Sequence, residues 1–99
     1  MIRHIVAFKL KADDAETRRS DAALVKQRLE ALVPLIPQIS SLNVGISLGL
    51  VEGHWDAVLV GDFETNADLE TYQANPDHLE AAAFVGGLTA SRAIVDFEL

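Results

Sequence analysis

The stretch Ile2 to Lys11 constrains the fold more than any other, because it alternates like a strand and is apolar on both sides. Ile2, His4, Val6, Phe8 and Leu10 fall on one face, and Arg3, Ile5, Ala7 and Lys9 on the other. A strand with one wet face needs only one apolar row. This pattern predicts cover on each side, with helices over one face and something else over the second. The chain of 99 residues has room for a single domain, residues 1–99, and not for two. A second copy packed sheet to sheet is the economical cover, so the sequence predicts a homodimer joined through its sheet faces.

The rest of the chain supplies the other layers. Asp13 with Glu16 resembles a capping box, and Ala22, Val25, Leu29 and Leu32 recur at helical spacing until Pro34 stops the helix. A second strand is expected from about Ile39 to Leu50, with Leu42, Val44, Ile46, Leu48 and Leu50 on one face. Residues 51–54 read as a turn, and Trp55 to Glu64 as the third strand. A short helix opens near Thr65 or Asn66 and carries Leu69 and Tyr72; Asn75-Pro76 restarts a second helical piece, which Gly86-Gly87 is expected to end. Ser91 to Leu99 reads as the last strand. The order β-α-β-β-α-β is the split βαβ arrangement: an α+β, ferredoxin-like fold with an antiparallel sheet and both helical layers on one face.

Composition narrows the function classes. Eight Lys+Arg against 15 Asp+Glu give a formal charge of −7, which repels phosphate backbones and anionic membranes. No nucleic-acid or membrane partner is expected. Without cysteine there is no disulfide, thiol nucleophile or zinc–thiolate site. Lys9 and Lys11 interrupt the N-terminal apolar run, and no stretch is long and apolar enough to span a bilayer, so a cytoplasmic location is expected.

The histidines are the candidate chemistry. His4 interrupts an otherwise apolar face, where it is either a buried, hydrogen-bonded ring or one at a wet strand end. His54 sits beside Gly53 in a turn and is read as exposed. His78 falls at the third position of a helix in Asn75-Pro76-Asp77-His78. There the helix dipole lowers its pKa while Asp77 raises it, leaving the net direction open. A neutral imidazole can serve as a general base; a solvated helix residue is the plain alternative. If the first and last strands pair antiparallel, His4 lies close to Asp96, whose carboxylate fixes the ring's tautomer and raises its basicity. Tyr72, six residues before His78, either packs or donates its phenol to a carbonyl oxygen while the histidine removes an adjacent proton. His4, His78 and Asp96 also match a two-histidine, one-carboxylate iron set, although nothing in their spacing favours that over hydrogen bonding. The carbonyls around Val33, Ile36 and Ile39 offer at most a weak site for Mg²⁺. There is no glycine-rich phosphate loop and no serine in a nucleophile elbow.

Together, the opening IRHIVAFKLK, the Leu35-Ile36-Pro37 turn, the segment Tyr72-Gln73-Ala74-Asn75-Pro76-Asp77-His78 and the closing Val95-Asp96-Phe97 resemble the stress-responsive A/B barrel family along essentially the whole chain. The resemblance implies a ferredoxin-like protomer packed on its twin as a dimeric α/β barrel. The olivetolic acid cyclase branch of that family closes a linear polyketide by aldol condensation without a cofactor. Likeness to that branch implies His78 as the base, Tyr72 as the carbonyl-polarising group, and His4 with Asp96 as hydrogen-bonded support. It also points to Val33, Ile36 and Ile39 as carbonyl ligands for Mg²⁺. The first helix here has no aromatic residue, and Gly-Gly-Leu-Thr-Ala-Ser precedes the last strand, which implies a smaller ligand than an aryl polyketide. The leading expectation is a pocket for a carbonyl-bearing small molecule, with cofactor-free proton transfer or aldol-type cyclisation as a lyase or cyclase. A non-enzymatic stress-associated binding or structural protein, and a cofactor-free monooxygenase, are the alternatives.

Overall fold

A computed structural model describes residues 1–99. Strand β1 (Ile2–Leu10) leads through helix α1 (Ala15–Glu30) to β2 (Ser41–Ile46) and β3 (Ala57–Phe63); α2 (Asn66–Ala74) and α3 (Pro76–Leu88) follow, and β4 (Thr89–Glu98) ends the fold. The four strands form one antiparallel sheet in the order β2-β3-β1-β4. This is the expected α+β, ferredoxin-like arrangement, with its second helical segment broken in two.

All the helices lie over one face of the sheet. Val6, Phe8 and Leu10 of β1 meet Val25 and Leu29 of α1, Leu69 and Tyr72 of α2, and Ala81 and Val85 of α3 in a single buried cluster. Leu32, Ile36 and Ile39, in the turns after α1, belong to the same core. Glu30 clips α1 to the edge strand, since one carboxylate oxygen accepts from Lys26 Nζ at 2.7 Å and from the Val44 N–H at 2.9 Å. The opposite face has no cover. Across it, Val60, Ile5 and Val95 form one row and Val58, Ala7 and Ala93 another, with Phe97 beyond. Val95 is 58% exposed and Phe97 42%.

Several element ends differ from expectation. Asp14, not Asp13, caps α1, accepting from the Thr17 N–H and hydroxyl at 2.9 Å each. β1 stops at Leu10, where the register with β4 shifts and the Leu10 N–H turns to the Asp56 carboxylate. β2 covers only Ser41–Ile46, because its partner strand begins at Ala57, opposite Ile46. The chain then leaves the sheet through Gly49 (φ 68°) and Gly53 (φ 94°), so Leu48 and Leu50 are exposed rather than facing the core. Gly86-Gly87 does not end α3: neither residue adopts a positive φ, and the helix runs to Leu88. The Thr89 hydroxyl donates to the Val85 carbonyl at 2.7 Å, and β4 starts there, two residues earlier than expected. No helix is long and apolar enough to cross a membrane.

Candidate active site

Asn75 and Pro76 create the local geometry of the site. Asn75 ends α2 through its N–H to the Tyr72 carbonyl at 3.2 Å, and it caps α3 by accepting from the Asp77 N–H at 2.8 Å. Pro76 cannot continue the α2 hydrogen-bond ladder but suits the first position of α3. The resulting bend turns residues six apart toward each other, so the Tyr72 and His78 rings stand 4.4 Å apart between centroids. Phe63 supports the tyrosine from the other side at 4.9 Å.

The strand register supplies the second half. His4 pairs with Asp96, as antiparallel pairing of the first and last strands predicts. Its Nδ1 lies 2.5 Å from Asp96 Oδ1. An ionised carboxylate only accepts, so Nδ1 carries a proton and Nε2 is the nitrogen that faces away from Asp96. His4 is the one buried polar or charged residue of the chain, at 5% exposure, and its ring sits 6.4 Å from Tyr72 in an edge-on arrangement.

His4, Tyr72 and His78 line one cleft of about 730 Å³ between the α2–α3 pair and β4. Val6, Phe8, Leu59 and Val85 form its apolar floor. No buried side-chain nitrogen or oxygen lacks a partner. His4 Nε2 and the Tyr72 hydroxyl make no hydrogen bond within the chain, so both open onto the space their side chains line. Burial pushes the Tyr72 phenol up to about 12, which keeps it a neutral donor at any physiological pH.

His78 is prepared differently. Its Nδ1 lies 3.0 Å from the Gln73 carbonyl, which can only accept, so Nδ1–H donates and Nε2 is again the free lone pair. Burial holds the His78 pKa below its ordinary value. The Gln73 bond opposes that shift, while the positive charge of Arg92, and that of His4 whenever its ring is protonated, add to it. The direction left open between helix dipole and Asp77 is therefore downward, and burial is the main cause.

The structure thus brings His4, Tyr72, His78 and Asp96 together, and leaves His54 in the exposed β2–β3 connection. No three His, Asp or Glu side chains are grouped to hold a metal, and Asp96 is engaged with His4. Val33, Ile36 and Ile39 lie in and just after the turn that follows α1, and the Ile36 carbonyl accepts the Ile39 N–H at 3.1 Å. Three neutral carbonyls suit Mg²⁺ poorly, since this ion is ordinarily held by one or two carboxylates and several waters. Sequence reasoning missed Gln73 and Arg92. Arg92 lines the cleft from β4, on the face it shares with Ile94 and Asp96, so strand alternation alone places it there.

Comparison with known proteins agrees with this architecture. A family profile described as the Stress Responsive A/B Barrel Domain matches residues 2–99. A dimeric protein of unknown function and ferredoxin-like fold from Bacteroides fragilis is 31% identical; the match covers 99% of this chain and 95% of that one, with a TM-score of 0.86. A dimeric ferredoxin-like protein from Thermobifida fusca, also of unknown function, is 31% identical over 99% of this chain and 90% of that one, with a TM-score of 0.84. A hydroxynitrile lyase from Passiflora edulis shares the fold at 17% identity, over 99% of this chain and 92% of that one, with a TM-score of 0.75. No curated protein matches the chain.

Proposed function

The chain belongs to the stress-responsive A/B barrel domain family, and from that premise we propose that it is a homodimeric member whose cleft binds a carbonyl-bearing small molecule and catalyses cofactor-free proton transfer. One observation carries this reading: a half-buried, neutral imidazole, His78, with its Nδ1–H held by a backbone carbonyl and its ring against Tyr72 in an apolar cleft. A base must be unprotonated near neutral pH, and a lowered pKa provides that.

In the proposed step the substrate carbonyl accepts a hydrogen bond from the Tyr72 hydroxyl. His78 Nε2 takes the adjacent α-proton, and the C–H electron pair becomes the enolate, whose oxygen the phenol stabilises. Attack of the enolate carbon on a second carbonyl forms a C–C bond, and the resulting alkoxide recovers the proton from His78. Without a second carbonyl the proton returns to carbon. His4, its ring oriented by Asp96, offers Nε2 to a substrate hydroxyl or carbonyl. Side chains supply every proton movement, so the step needs neither Mg²⁺ nor an organic cofactor. The dimer is supported by the uncovered apolar sheet face and by the dimeric relatives.

The test is exchange in D₂O. Small ketones and aldehydes are incubated with the protein and the loss of α-proton signals is followed by NMR. Exchange is expected with the native chain and should fall by about 10²–10⁴-fold in His78→Ala, with melting behaviour retained. Binding without exchange would overturn the enzymatic reading in favour of a binding protein. Oxygen uptake with electron-rich phenols would favour an oxygenase.

A further inference from the structure

The cleft is polarised in a way the proton-transfer reading does not use. Among its lining residues there is no Asp or Glu, although the whole chain carries a formal charge of −7. Arg92 is the lining residue with a permanent charge. Its guanidinium forms no ion pair and no hydrogen bond within the chain. The other arginines near carboxylates are committed: Arg3 to Asp62 at 2.8 Å and Arg18 to Asp56 at 3.8 Å. In an acidic protein, an exposed and unpaired guanidinium at the edge of an apolar cleft is suited to receive an anion.

We propose that the substrate is an oxo acid, with its carboxylate on Arg92 and its carbonyl at Tyr72 and His78. This rests on the reading of the cleft given above and names its substrate class. One guanidinium matches one negative charge, which favours a carboxylate over a doubly charged phosphate. Register fixes the span. Arg92 and Asp96 stand on the same face of β4, separated by about 13 Å of extended chain. His4, which pairs with Asp96, marks the carbonyl end of the cleft, so the carboxylate and the carbonyl sit toward opposite ends of the ligand. Apolar carbons fit what lies between, where Ile94 faces Val6 across the strand pair. Ala82, Ala83 and Gly86 of α3 leave width for the chain or a small ring.

The experiment is a binding series read by the ring signals of His78 and His4 in NMR. The probes are 4-oxopentanoate, 6-oxoheptanoate and 8-oxononanoate, each beside its methyl ester. The acids are expected to bind at least about tenfold more tightly than their esters, with a longer acid preferred over 4-oxopentanoate. Arg92→Gln should remove that preference, and Arg92→Lys should restore part of it. Equal binding of acid and ester, a preference that survives in Arg92→Gln, or no shift with any acid would overturn the proposal. Failures remain separable. If the acid preference is present and lost in Arg92→Gln but no ligand exchanges its α-proton, the base assignment falls and the oxo-acid site stands. If acid and ester bind and exchange alike, the oxo-acid proposal falls and the base stands.

Discussion

His4 and His78 bring the same ring to the same cleft, but their second nitrogens are held by different partners. Asp96 gives His4 an anionic acceptor, whereas Gln73 gives His78 a neutral one. An imidazolium at His78 is disfavoured first by burial, and its Gln73 partner supplies no counter-charge. The exchange rate should accordingly hold at neutral pH and fall on the acid side with a midpoint below 6.5. Stability follows the same sign. The unfolded chain binds the proton near 6.5, while the folded chain resists it to a lower pH. Folding thus loses free energy as pH drops from 6.5 toward the lowered value. Urea unfolding at pH 7.5 and 5.5 should show a smaller loss in His78→Gln than in the native chain. An equal loss in both would contradict the burial argument.

At the scale of elements, two pairs of glycines separate what alternation and punctuation can reveal. Gly49 and Gly53 turn the chain out of the sheet at positive φ, whereas Gly86 and Gly87 remain helical. Gly53→Ala should cost about 1 kcal/mol, because an alanine there is forced into the left-handed region. Gly87→Ala has open space around its new methyl group and should stabilise the chain by about 0.5–1 kcal/mol. Thermal unfolding of the two variants checks the opposite signs. From sequence, both pairs read as breaks, since glycine permits either conformation and only the surroundings choose. The run Leu42 to Leu50 misled for a related reason: its alternation continues past Ile46, but the partner strand does not. By contrast, the Asn75-Pro76 break and the nearness of His4 to Asp96 were legible, because proline chemistry and antiparallel register leave few alternatives. The direction of the His78 shift was not, since burial is a property of the packed chain.

For the whole molecule, the helices account for one face of β1 and nothing within the chain accounts for the other. Val58, Val60, Ile5, Val95 and Phe97 form an apolar sheet surface beside the Arg3–Asp62 pair. In the proposed sheet-to-sheet dimer that surface would become a second core, which would account for the doubly apolar pattern of Ile2 to Lys11. Val95→Asp places a charge at its centre and should convert a dimer into a monomer by light scattering, with the helical signal retained. A native chain that is monomeric at micromolar concentration would remove the sheet-to-sheet assembly from the account. The cleft opens on the helix side of the sheet, so in the proposed dimer ligand binding and assembly would use separate faces.

The central claim, a neutral His78 poised over a ligand cleft, is tested most directly by NMR titration of the three isotope-labelled histidines, alone and with 6-oxoheptanoate. His78 is expected to be the Nδ1–H tautomer, to titrate below 6.5, and to shift on adding the ligand together with His4 while His54 stays unmoved. A His78 that titrates at its ordinary value and ignores every carbonyl compound offered would contradict it.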